Sequence, residues 1–259
     1  HDLYKNLAAI QHYVSYIPQE DTFDPLLSVE ENINCASAIR CPHMSLTQRR
    51  EHGDSILVEL GLSERRQRRA GNARNNLLSG GERKRLNTGL DMLSIAEVFL
   101  FDEPTSGLSS KDSEHVMEII RDLSRNKITF VSIHQPSSRL FNLFDKALLL
   151  DKGGKVAFFG PPQDMLDYFN EAHANETNPP HESSDRTGSE SIPRQPDFIF
   201  DVMEAPLRDS KGKIVYEQDS RGHFTAARRF SPDFWAKRFQ SYLAAQAGKE
   251  KPTDPSRQS

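Results

Sequence analysis

An apolar run that ends in two adjacent carboxylates, Val98-Phe-Leu-Phe-Asp102-Glu103, is the first feature of this sequence equipped for chemistry. Such a run reads as a buried β-strand, and in open α/β sheets ligands gather beyond the carboxyl ends of the strands. Asp102 is then placed to hold Mg²⁺, directly or through water. Glu103 is placed to take a proton from an attacking water or to orient it. A second run, Ile128 to Ile133, leads directly into His134. A histidine there would lie beside the carboxylates if the two strands are neighbours, where it can hydrogen-bond a terminal phosphate. Leu78-Ser79-Gly80-Gly81-Glu82 precedes a helical pattern. A serine and two glycines at a helix start offer an anion bare backbone N–H groups, a hydroxyl and a positive dipole end. Each feature also has a plainer reading: an acidic turn after a strand, a structural histidine, an N-capped helix. Their coincidence in one chain gives them weight.

These groups need elements to position them. Strand-like runs span Tyr13–Ile17, Glu97–Phe101 and Ile128–Ile133, followed by Ala147–Leu150 and Val156–Phe159. The last two flank Gly153-Gly154, which supplies the positive φ of a tight turn, so they read as a hairpin. Between the runs lie helical patterns. Ser28 to Ile39 opens with a capping box, Ser28 with Glu31. Leu46 to Leu60 stops at Gly61. Ser79 to Leu93 starts on serine, and Lys111 to Ser124 sets Val116, Ile119, Ile120 and Leu123 on one face. A short helix is expected from Pro161 to Phe169. Apolar strands alternating with helices predict an α/β fold with a largely parallel sheet. Residues 171–196, rich in Asn, Ser, Pro, Glu and His, read as a linker or mobile loop. Residues 197–246 regain an apolar pattern, and 247–259 read as a polar tail.

Composition narrows the function classes. The 33 basic and 37 acidic residues leave a net charge of −4. That balance lacks the basic excess of a dedicated nucleic-acid binder. Two cysteines, Cys35 and Cys41, cannot form a disulfide framework and point to a reducing compartment. His43 lies close to Cys41, but a zinc site needs a second ligand cluster and none is visible. No run approaches the ~20 apolar residues of a membrane-spanning helix, and there is no signal peptide. His1 has no initiator methionine before it, which reads as a fragment or processed piece. Any membrane part is expected outside this sequence or on a partner.

With these pieces in order, the chain resembles the ATP-binding domains of ABC transporters. LSGGE (78–82), VFLFDEPTSGL (98–108) and SIHQP (132–136) resemble the signature motif, Walker B segment and switch histidine of that family, and Tyr16-Ile-Pro-Gln19-Glu-Asp resembles its Q-loop. The resemblance covers roughly residues 1–170. Glu82-Arg-Lys-Arg85, His134-Gln-Pro136 and the stretch Phe144 to Phe169 resemble the G subfamily of White-type pigment and lipid exporters. It implies a P-loop NTPase-like, mainly parallel sheet, incomplete here, with an α-helical signature subdomain at about 20–95. It further implies ATP and Mg²⁺ as ligands. Glu103, His134 and Gln19 would be catalytic, Asp102 and Gln19 would serve the metal, and Ser79, Gly80, Gly81, Glu82 and Ser109 would face nucleotide. In the family two such domains pair head to tail, so the signature residues would serve nucleotide bound mainly by a second ATP-binding domain, identical or not. A membrane domain, expected on the same parent chain beyond residues 197–259, would convert closure into export, with this domain on the cytoplasmic face. The helix from Pro232 to Leu243, with Phe234, Trp235, Phe239 and Tyr242, would be either the amphipathic lead-in to the bilayer or a helix packed on its own domain.

Two departures stand out. The phosphate loop G-x-x-x-x-G-K-[ST] is absent from the 259 residues. His1-Asp-Leu-Tyr-Lys-Asn6 resembles the segment downstream of that loop, so the loop reads as truncated rather than mutated, and the chain is expected to be inactive alone. After Ser106-Gly-Leu108 the family usually has Asp, where this chain has Ser109, which puts coupling between the two sites in doubt. Two rivals remain open: a soluble ABC ATPase of repair or translation, and a non-catalytic interaction fragment with the same fold. Membrane helices downstream of residue 259 in the parent gene would exclude the first. A phosphate loop upstream of residue 1 would exclude the second.

Overall fold

The computed structural model describes residues 13–71, 77–177, 195–218 and 222–247. The readings made on His1–Asn6, on most of 171–196 and on the tail beyond 247 lie outside them. The chain divides into two compact units, His1–His134 and Gln135–Ser259.

In the first unit, β1 (Val14–Ile17), β2 (Val98–Asp102) and β3 (Ile128–Ser132) form a parallel sheet in the order β1-β2-β3. Its register sets Tyr16 beside Leu100, and Asp102 beside Ser132. Side chains alternate along each strand, so Ile17, Phe99 and Phe101 fall on one face, and all three are buried. The opposite face carries Val14, Tyr16, Ile128 and Phe130, all exposed, with Phe130 at 58%. The expectation of a buried strand therefore holds for Phe99 and Phe101 and fails for Val98 and Leu100, which are half-buried. Parallel sheets are usually covered on both faces; this one has full cover on one.

The covering helices begin where serine allows. α1 (Val29–Arg40) and α3 (Gly80–Met92) each start with a complete capping box, Ser28 with Glu31 and Ser79 with Glu82. α2 (Leu46–Glu59) does the same with Ser45 and Gln48. It ends before Gly61, whose φ of +63° suits a residue without a Cβ. α4 (Ser110–Leu123) is capped by Ser109 and buries Val116, Ile119 and Ile120 as its periodicity predicts. One apolar core unites α1, α2 and α3 through Val29, Ile33, Ile56, Leu57, Leu86 and Leu90. The buried Asp91 carboxylate ties the helices to the sheet. It accepts from Ser15 Oγ at 2.7 Å and pairs with Arg40 at 2.6 Å. Burial pushes its pKa up, against the pull of these two partners.

The second unit contains α5 (Ser138–Phe141) and an antiparallel pair, β4 (Ala147–Asp151) and β5 (Lys155–Gly160). Gly153 and Gly154 turn the hairpin with φ of +78° and +71°, as the sequence predicts. α6 (Pro162–Thr177) runs past the expected end at Phe169, into the stretch read as a linker. Its added residues include Glu and Ala, good helix formers, and no proline interrupts before Pro179. α7 (Asp197–Met203), a short hairpin of β6 (Tyr216–Gln218) and β7 (Phe224–Ala226), and α8 (Pro232–Ala247) complete the unit. The apolar side of α8 packs on its own unit: Trp235 and Phe239 are buried in a cluster with Phe158, Phe169 and Ile199. Among the described residues no helix is long and apolar enough to cross a membrane.

Candidate active site

The parallel register delivers Asp102 and Ser132 side by side at one end of the sheet. Ser132 Oγ donates to Asp102 Oδ1 at 2.8 Å and accepts from the Glu103 N–H at 2.9 Å. Tyr16 OH, arriving from β1, donates to the other carboxylate oxygen, Asp102 Oδ2, at 2.9 Å. These two donors, Ser132 first and Tyr16 second, lower the Asp102 pKa, with help from the charge of Lys84. The same bond raises the Tyr16 pKa, because ionising the phenol would forfeit it. Asp102 is thus kept as a carboxylate, a hard oxygen donor of the kind Mg²⁺ takes.

Immediately beyond, Glu103 adopts φ +42°, a left-handed conformation uncommon for a residue with a Cβ. Its N–H is fixed by Ser132, and its carbonyl accepts from the Ser106 N–H at 3.1 Å. The chain therefore turns sharply at the strand end. Gln19, two residues past the end of β1, meets the Glu103 side chain there. Its Nε2 donates to Glu103 Oε2 at 3.2 Å and to Ser106 Oγ at 3.1 Å. Residues 84 apart in sequence are brought together because β1 and β2 are hydrogen-bonded neighbours. His134 lies two residues past Ser132, at the same end of the sheet, and is exposed. The following residue, Gln135, also has positive φ, +46°.

The glycine-rich helix start opens α3. Ser79 and Gly80 are exposed while Gly81 is buried. Ser79 Oγ accepts the Glu82 N–H at 3.2 Å, and Glu82 Oε2 accepts the Ser79 N–H at 2.7 Å. The N–H groups of Gly80 and Gly81 lie between, in the first turn, where helix geometry gives them no intrahelical acceptor. Glu82 Oε1 is taken by Arg65 Nε at 2.8 Å. Burial raises its pKa, but the Ser79 N–H and Arg65 outweigh it and the net shift is downward. Glu82 is thereby committed to its own chain. Ser109 is likewise committed, donating to Asp112 Oδ2 at 2.8 Å and capping α4. Neither is hydrogen-bonded to the Gln19–Glu103 pair. Sequence reasoning missed Tyr16 as the second brace of Asp102, and Ser132 as the link between Asp102 and Glu103. Both lie within quoted motifs, but only the strand register discloses their roles.

Asp112 also explains Gly81. A Cβ built there would lie 2.5 Å from Asp112 Oδ1 and 2.7 Å from its Cγ. Asp112 is held by the Ser109 cap, so it cannot simply swing away. Gly81→Ala should lower stability by about 1–2 kcal/mol, the overpacking cost exceeding the helix-propensity gain. Thermal unfolding beside wild type measures this; an unchanged or higher midpoint would contradict the close fit.

Comparison with known proteins places the sequence among related families. Residues 1–106 match the family described as ABC transporter, and residues 134–189 match the one described as ABC-2 type transporter. ABC transporter G family member 4 of Arabidopsis thaliana is 41% identical over 166 residues, which is 63% of this chain and 28% of that protein. Protein white of Drosophila melanogaster is 39% identical over 163 residues, 62% of this chain and 24% of that protein. An uncharacterized ABC transporter ATP-binding protein/permease of Saccharomyces cerevisiae is 37% identical over 205 residues, 77% of this chain and 15% of that protein. The chain thus spans between 15% and 28% of the length of these relatives. With an α/β fold, a parallel sheet and the family's motifs in order, the chain carries an ABC transporter ATP-binding domain, homologous to those of the White-type G subfamily.

Proposed function

We propose that this chain forms part of an ATPase site that drives export across a membrane. The observation that carries the reading is the hydrogen bond from Gln19 to Glu103 beside a braced Asp102, three side chains from two adjacent strand ends. Glu103 would accept a proton from the water that attacks the terminal phosphorus of ATP. Gln19 would hold that water, and His134 would hydrogen-bond the terminal phosphate. The oxygen donors of Asp102 and the Gln19 amide suit Mg²⁺, which when bound would neutralise charge on the phosphates. Ser79, Gly80 and Gly81 would face nucleotide held mainly by a second domain, paired head to tail, with Glu82 bracing that helix start and Ser109 capping the neighbouring helix. ATP touching both halves would hold the pair closed, a shift that requires higher affinity for the closed state.

The first 170 residues would be the ATPase portion, with the helical part at about 20–95. Residues 171–196 would link it to the segment 197–259, which leads to a membrane domain. The site would then lie on the cytoplasmic face of that membrane. Because these 259 residues hold no phosphate loop, the chain alone should not hydrolyse ATP. The decisive assay is MgATP turnover by the full-length protein in membranes. Asp102→Asn should lower it about 10–100-fold. Turnover that survives that substitution unchanged would overturn the assignment.

A further inference from the structure

The side of α3 that faces the loop after β1 grips that loop at three points. Arg83 forks onto Asp21, with Nε at 2.9 Å from Oδ2. Lys84 Nζ donates to the carbonyl oxygen of Gln19. One turn on, Asn87 Oδ1 accepts both the N–H and the hydroxyl of Thr22, at 2.8 and 2.6 Å. Gln19, Asp21, Gly80, Lys84 and Ser106 line one cavity of about 690 Å³. The helix that presents Ser79, Gly80 and Gly81 is therefore the helix that fixes the loop bearing Gln19.

Of the three grips, only that of Lys84 lands on the residue whose side chain touches Glu103. A held carbonyl fixes the peptide plane of Gln19, and so the point from which its side chain reaches Glu103 and Ser106. A charge-assisted donor on a half-buried stem is a stronger tether than a neutral one. The geometry points to Lys84 as a positioning residue: by holding the Gln19 carbonyl it sets the Gln19–Glu103 contact, and it joins the glycine-rich helix start and Gln19 into one piece. A rearrangement of that helix start on meeting a partner's nucleotide would thus be felt at Glu103 through Lys84 and Gln19.

This inference rests on the reading that Gln19 and Glu103 serve hydrolysis. The test compares Lys84→Met and Lys84→Arg with wild type in the full-length protein. For Lys84→Met, kcat should fall about tenfold, less than the roughly hundredfold that a misplacement of about 1 Å can cost. The KM for ATP should stay within about twofold, since no nucleotide contact is removed. Lys84→Arg keeps a charged donor and should recover to within about threefold of wild type. In parallel, amide exchange of the peptide covering residues 17–22 should quicken in Lys84→Met while peptides from β2 and β3 stay unchanged. Unchanged kcat, unchanged exchange at 17–22, or a KM rise at constant kcat would each overturn the assignment. Should the wild type itself fail to hydrolyse ATP, the reading of the site falls. The exchange comparison then decides by itself whether Lys84 holds the loop.

Discussion

Glu103→Gln in the full-length protein should cut ATP turnover about a thousandfold, within the range that positioned proton acceptors contribute, and should leave ATP bound. The substitution keeps the shape of the side chain and an amide oxygen for Gln19 Nε2, which in the native chain donates to Glu103 at 3.2 Å. The backbone at 103 is held by Ser132 and Ser106 rather than by the carboxylate. Only the ability to accept a proton is lost. Two measurements belong together: steady-state phosphate release, and ATP retained after gel filtration. A variant within about tenfold of wild type would remove Glu103 from the proton-acceptor role, as would one that no longer retains ATP.

The largest expected effect on folding lies in the second unit. Trp235→Ala should destabilise it by about 3–5 kcal/mol. Trp235 has no solvent exposure, and its ring packs at 4.9 Å from Phe169 and 5.2 Å from Phe234. Aromatic rings arriving from α6 and α8 would face a void that they cannot refill. The indole N–H is buried without a hydrogen-bond partner, so Trp235→Phe loses no such bond and should cost only about 1–2 kcal/mol. Urea unfolding followed by circular dichroism gives both values. Equal costs for the two substitutions would mean that ring packing is not what holds α8.

What could be read from the sequence was local. The Ser28–Glu31 cap lies within one turn, so residue type and spacing suffice to define it. The hairpin at Gly153-Gly154 is legible for the same reason. The order of motifs, from Gln19 through Ser79 to Asp102, carries the family likeness of the first 106 residues. The brace of Tyr16 on Asp102 spans 86 residues and depends on which strands adjoin, in which register. No local pattern encodes that. Lys84 was hidden among four charged residues, Glu82 to Arg85, that look alike in sequence; their partners sort them, with Glu82 on Arg65, Arg83 on Asp21 and Lys84 on Gln19. Ser109 is expected from the resemblance to face nucleotide; in the structure its hydroxyl closes its own helix cap. The helix at 232 was open between membrane approach and packing. Its amphipathic stripe fits both, and burial of Trp235 and Phe239 assigns it to packing.

The twisted backbone at Glu103 carries an implication for laboratory selection. At φ +42° a residue with a Cβ sits about 1 kcal/mol or more above glycine. A library screened only for heat resistance should therefore drift toward glycine at position 103, and the hardiest survivors would be the ones that had lost this carboxylate at the strand end. Any campaign to toughen this domain has to hold that codon fixed, or select for turnover at the same time.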